Sequence, residues 1–482
     1  PMENGKINAE PGITARWGKT PNLMLNATVN PDFSHVEADV AQLEVNNRFA
    51  LYYPEKRPFF LEGADFFMSP VEAVFTRTVV DPLWGVKTTG KAGRNSIGFF
   101  AANDRYNNLL FPANQGSLST FLEEDTLGGV LRYKRDVGRG SSLGVLYAGR
   151  TGDDYFNHVA GVDGYIRFSN TKTASFQYLG SQTKYPGEIA ANFGQKTGAF
   201  NGSAMTADFS HYGRNWYYGA SYRDIDPGFR ADYGFVSRVD LRRFSGFFGA
   251  RKWGKNGDWF DTLSASVGSS RTTDRDGNLT DRDLTFSAAY TGPLQSAFHP
   301  AFSFIKEYYN GVLYDRKHFF SVFELKPFGG LSFSFITIIE DAVDYSNSRL
   351  ADSLLLISGT EFALGKHLNI KVDHTYQRLS LKKEKIYTAN LLQTRFIYNF
   401  NVRSFLRAIL QYTNIDRNPA LYNFEIDPVT KGLFTQFLFS YKINPQTVLF
   451  LGYSDNQSGM RGIDITRTDR TFFLKIGYAL VL

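Results

Sequence analysis

Apolar and polar residues alternate with a period of two along most of this chain. In the clearest run Leu368, Ile370, Val372, His374 and Tyr376 share one face, and Asn369, Lys371, Asp373, Thr375 and Gln377 share the other. Trp216, Tyr218, Ala220 and Tyr222 likewise oppose Tyr217, Gly219, Ser221 and Arg223, and Leu127, Gly129, Leu131 and Tyr133 oppose Arg132 and Lys134. A period of two is the signature of a strand with two unlike faces. Helical spacing rarely interrupts it, so the pattern predicts an all-β fold. Residues 12–18 and 22–30 read as a first hairpin turning at Thr20-Pro21-Asn22.

A soluble sheet also alternates, and three further features point to a transmembrane antiparallel β-barrel. The polar face is charged in strand after strand, while aromatics gather near strand ends, as expected for water inside and lipid outside. Connections also sort by length. Turns are expected near 138–141, 170–171, 213–215, 329–330, 365–367, 401–403 and 444–446, with longer connections at 103–124, 181–197 and 413–430. Finally, Phe472, Leu474, Ile476, Tyr478, Leu480 and Leu482 form an apolar face that runs to the last residue. Lys475, Gly477, Leu480 and Leu482 resemble the carboxy-terminal signal by which such barrels engage their assembly machinery, with leucine where an aromatic usually stands. Segments of strand length number about 22 from Glu72 onward and about 24 with the first hairpin, within a range of roughly 22–26 and even in number.

One stretch breaks the pattern. Between Asn30 and Phe67 acidic residues mix with aromatics, and the run Pro54-Glu55-Lys56-Arg57-Pro58 cannot sustain a ladder because proline has no N–H to donate. The expected organisation is therefore an N-terminal segment and first hairpin (1–31), an irregular insert (32–70) and the main wall (71–482). With the short turns and the chain's end on the periplasmic side, the strand count puts both ends of the insert at the periplasmic rim. From there it would lie across the mouth or fold into the lumen as a plug.

Composition fits this picture. Aromatics are 16% of the 482 residues and cysteine is absent, which excludes disulfides, thiolate metal sites and thiol catalysis. No apolar run reaches the roughly 20 residues of a spanning helix. The mean hydropathy of −0.28 is what alternating faces average to. A net charge of +6, spread thinly and without a basic cluster interleaved with aromatics, implies no nucleic-acid partner. The opening Pro1-Met2 carries no leader pattern, as in a mature or trimmed chain.

The insert carries a resemblance. Asn30-Pro31-Asp32-Phe33-Ser34-x-Val36-Glu37-Ala38-Asp39, then Tyr53-Pro54-Glu55-Lys56-Arg57-Pro58-Phe59-Phe60-Leu61-Glu62-Gly63, resembles the signature of an uncharacterised family of Bacteroidota and proteobacterial proteins. Thr20-Pro21-Asn22-Leu23 fits it too. Members often carry a carbohydrate-binding module of the family-nine type ahead of an outer-membrane barrel. The resemblance is sharp over 12–67 and diffuse beyond, and implies a bacterial outer-membrane location but no activity.

Candidate chemistry is sparse. Asp32, Glu37, Asp39, Glu44, Glu55, Glu62 and Asp65 are enough carboxylates to suit Ca²⁺, yet they equally suit pairing with Lys56, Arg57 and arginines of the lumen wall, the reading favoured for buried charge. Asp274-Arg275-Asp276-Gly277-Asn278 lacks the acidic ligand a calcium loop needs at its twelfth position, where Thr285 stands, and reads as a hairpin turn. None of the seven histidines sits at metal-ligand spacing, and no nucleophile elbow or phosphate loop appears in a fitting context. The expectation is a non-enzymatic conduit, porin-like or gated, for polar solutes such as oligosaccharides, with no metal or cofactor. Arg132, Lys134, Arg223, Lys371, Arg395 and Arg407 would set its selectivity. Asp32, Glu37, Asp39, Glu55, Lys56, Arg57 and Glu62 would form the plug or gate. The alternatives are a sleeve around a periplasmic or surface protein partner, as in a porin–cytochrome electron conduit, and an outer-membrane hydrolase.

Overall fold

The computed structural model describes residues 12–20, 22–31, 42–43, 45–444 and 447–477. The first hairpin is β1 (Ile13–Thr20) and β2 (Leu23–Val29), and after the insert come β3 (Pro82–Ala92) and β4 (Asn95–Asp104). A short hairpin, β5 (Asn107–Pro112) and β6 (Ser117–Leu122), stands apart as its own sheet. The wall continues with β7 (Thr126–Val137), β8 (Ser141–Gly152), β9 (Tyr155–Arg167), β10 (Lys172–Lys184), β11 (Phe200–Tyr212), β12 (Trp216–Ile225) and β13 (Leu241–Trp253). Then follow β14 (Thr262–Thr273), β15 (Leu279–Gly292), β16 (Ser296–Tyr309), β17 (Val312–Phe328), β18 (Leu331–Asp344) and β19 (Arg349–Leu364). The last are β20 (Leu368–Leu381), β21 (Glu384–Asn399), β22 (Ser404–Arg417), β23 (Val429–Asn444), β24 (Thr447–Met460) and β25 (Ile463–Gly477). Two helical turns, α1 (Pro58–Leu61) and α2 (Gly187–Asn192), lie in connections. Among the described residues 23 strands form one antiparallel sheet in chain order, β1 through β4 and β7 through β25. This is the all-β antiparallel architecture that the alternation predicts, with 23 strands among the described residues, inside the expected range of 22–26.

The two rims differ. At one, the connections are short: 93–94, 138–140, 168–171, 213–215, 293–295, 329–330, 365–367 and 400–403, with 254–261 the longest. The other carries 30–81, 105–125, 185–199, 226–240 and 418–428, mixed with tight turns such as 153–154 and 310–311. The Asp274 segment is one of those turns: Asn278 donates from its backbone and its amide to the Asp274 carboxylate at 2.8 Å each, and Gly277 takes φ 94°. β25 ends at the short-turn rim, as expected, but the insert leaves β2 and enters β3 at the opposite, long-loop rim, whereas the strand count puts its two ends at the rim of the chain's end. The reason is parity. Each strand crosses the wall once, so a count wrong by one exchanges the rims. Twenty-one wall strands, β3 to β25 without the β5–β6 pair, follow the insert in place of the expected 22 or so. The irregular stretch also runs on past residue 70 to Pro82.

Directly paired residues share a face, so the register assigns every side chain to the lumen or the outside. Ile97, Phe99, Leu127, Leu131, Leu143 and Val145 are exposed on the outer face. In the first half of the wall the inner face is apolar as well: Phe100, Ala102, Val130, Leu146, Ala148, Val159, Leu179, Ala204, Ile225 and Leu241 are all buried. They pack with Phe60, Phe67, Val71, Ala73 and Val79 of the insert and Phe229, Ala231, Tyr233, Val236 and Val239 of the 226–240 connection. This half of the lumen is filled by the chain itself. Leu146→Ala is therefore expected to cost about 2–5 kcal/mol through the cavity it leaves. Val145→Ala next to it, facing lipid, is expected to cost much less. Urea unfolding in detergent micelles should show a clear drop in midpoint for the first only, and equal drops would mean the inner core is not packed.

Candidate functional site

The insert is fastened by the run that sequence singled out. Arg57 grips Glu55 through two hydrogen bonds, Nε to Oε1 at 2.8 Å and Nη2 to Oε2 at 2.7 Å. Its remaining donors reach the carbonyls of Val79 at 2.6 Å and Thr76 at 2.8 Å. Glu55 also accepts the backbone N–H of Lys56 and of Arg57 at 3.0 Å and the Thr76 hydroxyl at 2.7 Å. The two flanking prolines have no N–H to satisfy, so the corner turns without orphan donors. Burial pushes the Glu55 carboxyl up, but the hydrogen bonds and charge of Arg57, together with Thr76, outweigh it and hold the group at about 2. The guanidinium sits 4.3 Å above the centre of the Phe60 ring, and Phe60 meets Phe100 of the wall edge-to-face at 5.5 Å. The end of α1 is tied down by the buried Lys87 of β3, whose ammonium donates to the carbonyls of Phe59 and Glu62. Glu62 also pairs with Arg16, an inward-facing residue of β1.

A second piece of the plug comes from 226–240. It lies against the insert like a paired strand, with Phe75 N–H donating to Tyr233 O at 2.7 Å and Phe235 N–H to Glu72 O at 2.8 Å. Two wall glycines admit it: a Cβ on Gly202 would stand 2.1 Å from the Phe229 nitrogen, and one on Gly128 would stand 2.2 Å from the Tyr233 ring. The buried Asp232 carboxylate accepts the hydroxyls of Tyr155 at 2.8 Å and Tyr185 at 3.0 Å. Burial raises its pKa, against the pull of Tyr155, Arg150, Tyr185 and Arg230.

From this anchored side the insert reaches across the mouth. Leu43 and Val45 pack on a separate buried cluster of Ala342, Leu379, Ile386, Tyr387 and Ile415. Asn46 bonds Val343 O at 2.8 Å and Tyr345 N–H at 3.0 Å. Arg48 is the hub. It pairs with Glu307 of β16 at 3.1 Å and donates to Gln115 O and Asn114 O beyond β5. Glu307 is held in turn by Arg316 and by the Tyr345 hydroxyl at 2.7 Å, and Arg316 continues to Glu340 at 2.7 Å. Residues 42–43 and 45–53 thus form a strap latched to the far wall by a buried charge chain, whereas 54–81 are bedded in a core.

Of the residues expected to form the plug, Glu55 and Arg57 pair with each other, Glu62 pairs with Arg16, and Lys56 donates its backbone N–H to Glu55. Asp32, Glu37, Asp39 and Glu44 lie outside the described residues, as do Leu480 and Leu482 of the expected assembly signal, whose Lys475 and Gly477 belong to β25. The register turns Arg132, Lys134, Arg223, Lys371, Arg395 and Arg407 all inward. They do not converge on one ring. Arg132 is buried against Asp163 at 2.6 Å, Lys371 pairs with Asp373 at 3.0 Å, and Arg407 donates to Gln436 at 3.2 Å. Arg223 is exposed to the lumen and Lys134 is half-buried. No group of three or more potential metal ligands occurs among the described residues. Sequence reasoning missed Arg48, Glu307, Arg316 and Asp232. The one available signal was Asp226-Pro227-Gly228, a turn that opens a run too aromatic for a solvated loop.

Residues 2–81, the first hairpin and the insert, match the model of a family described as a domain of unknown function (DUF5916). In fold the chain is similar to the FrpB iron transporter from Neisseria meningitidis (F3-3 variant), with a TM-score of 0.53 and 11% identity over 82% of this chain and 78% of that one. The outer-membrane expressed OmpT of Vibrio cholerae also aligns, at 12% identity over 80% of this chain and 100% of that one, with a TM-score of 0.25 that carries no argument. No curated protein matches the chain.

Proposed function

We propose that this protein is an outer-membrane barrel conduit for polar solutes, with its long-loop mouth held shut by its own insert. The observation that carries this reading is the division of the lumen. One side is filled by a fixed core, and the strap that crosses to the other side is held there largely by polar contacts around Arg48 and Asn46. Below the strap the inner face of β14 to β16 is lined by hydroxyls, with Ser266 and Ser287 at 2.7 Å and Thr285 and Ser303 at 2.8 Å. Arg223, Lys371 and Arg395 turn inward from β12, β20 and β21, and Arg407 of β22 is buried against Gln436. Such a lining suits a hydroxyl-rich or anionic solute, and the family resemblance of the insert supports an oligosaccharide. The cations would act as a selectivity field during diffusion, without chemistry. A sleeve around a threaded partner is less favoured, because the space beside β3 to β12 is already occupied by residues 54–81 and 226–240.

The test is ion selectivity in planar bilayers. The wild-type channel is expected to prefer anions, and Arg223→Ala combined with Arg395→Ala and Arg407→Ala should move the zero-current potential toward cation preference. An unchanged potential in the triple variant would remove these residues from the pathway.

A further inference from the structure

The ladder between β15 and β16 is interrupted in mid-strand. Ser287 pairs with Ala301 and Tyr290 with Phe298, but Ala288 and Ala289 are not paired with Pro300 and His299, and the register resumes unshifted. Elsewhere among the described wall residues, lapses in pairing accompany a register shift. The cause is local. Pro300 has no N–H for the ladder, and proline is otherwise confined to edge strands and bulges. The gap spans two residue pairs, about 7 Å along the strand.

Both sides of this gap are unusual. Outside, next to Pro300, lies a groove of about 520 Å³ floored by Ala250, Ala265 and Ala288 and walled by Trp216, Tyr290 and Phe298. Inside, the lumen face turns apolar over three adjoining strands. Phe320 and Val322 of β17, paired with Ala301 and His299, are followed by Ile336 and Ile338 of β18 and Leu355 and Ile357 of β19. None of these six belongs to a buried cluster of the plug. A water-filled lumen would favour polar side chains here. A basic side chain flanks the gap on each side of the wall. Arg251 faces inward in the row Arg251–Ser264–Ala289, and Lys252 faces outward in the row Lys252–Leu263–Tyr290.

We propose that this break is a lateral portal for a single-chain amphiphile with an acidic head, a long-chain fatty acid, moving between the bilayer and the lumen. The groove holds the chain on the membrane side with its carboxylate toward Lys252. The six apolar side chains receive the chain inside, with the carboxylate toward Arg251. With no ladder pairing to break over two residue pairs, the strands can part there for one alkyl chain, and a parting that short excludes a two-chain phospholipid with its headgroup. The portal is independent of the axial pathway, so either can fail without the other.

The protein in lipid vesicles is titrated with dibromostearate, which quenches nearby tryptophan. Saturable quenching is expected, reduced when Trp216 is replaced by phenylalanine. Ala265→Phe or Ala288→Phe, each filling the groove from the lipid face, should weaken apparent affinity by about tenfold or more. Because the chain has no cysteine, Ala289→Cys with His299→Cys places a unique pair across the gap. Oxidising that pair should slow fatty-acid transfer into the vesicle, and reduction should restore it, with ionic conductance unchanged in both states. Quenching that is non-saturable, indifferent to both fillings, equal for the methyl ester, or equal for brominated phosphatidylcholine overturns the proposal. So does transfer that the oxidised pair leaves untouched.

Discussion

Replacing Arg57 with alanine is expected to release the insert from the wall and cost about 3–5 kcal/mol, because it strands a buried carboxylate that now has two charged contacts. Glu55 and Arg57 are each about 10% exposed at the side chain, so solvent does little to screen the pair. Glu55→Gln together with Arg57→Met should recover much of the loss, since removing both charges leaves nothing unpaired. The same clasp predicts a pH dependence. The Glu55 carboxyl titrates at about 2 in the folded chain, against an ordinary 4.5. Its folded value is depressed, so its contribution, about 3 kcal/mol, is complete above 4.5 and is lost as the pH falls from there toward 2. Urea midpoints measured from pH 6 down to 2 should fall in that window in the wild type. They should fall less in Glu55→Gln, and parallel curves for the two would sink the assignment.

Arg48→Ala acts on the other end of the insert and should affect conductance more than stability. If the latch is worth about 3 kcal/mol, as expected for truncating one member of a buried charge pair, its loss shifts the closed-to-open balance of the strap by about 100-fold. Single-channel recordings should show long open dwells where the wild type is mostly closed. Arg48→Lys should lie between the two, because an ammonium cannot reach Glu307, Gln115 and Asn114 with a planar fork. A conductance identical to wild type would mean the strap does not bar the pathway.

The wall was legible in the sequence where its two faces meet different solvents. The Leu368–Gln377 alternation appears in β20 residue for residue, with Asn369, Lys371 and Asp373 inward. Alternation is less informative in β4, β8 and β10, where lipid lies on one face and a protein core on the other, so that Phe99 and Phe100 are both apolar for different reasons. The same ambiguity concealed 226–240, whose Phe229, Ala231 and Tyr233 alternate like a wall strand yet line the inside of the plug. The insert's chemistry was readable because Glu55 and Arg57 are two residues apart and satisfy each other locally. The latch was not, because Arg48 and Glu307 are brought together only by the closure of the mouth. The rim was misassigned for a third reason: sidedness depends on the parity of a count, and 21 wall strands follow the insert where about 22 were expected.

The filled half of the lumen has a consequence for how the molecule is made. All the pieces of its largest core lie between Phe60 and Leu241, in one continuous stretch of chain. β4 to β12 have apolar residues on both faces and would be sticky if they formed alone. Their filling, however, lies just before them in the insert and just after them in 226–240. The N-terminal half can therefore condense around its own contents much as a water-soluble domain does. The remaining strands, from β13 onward, can then add one hairpin at a time to an edge that is already rigid.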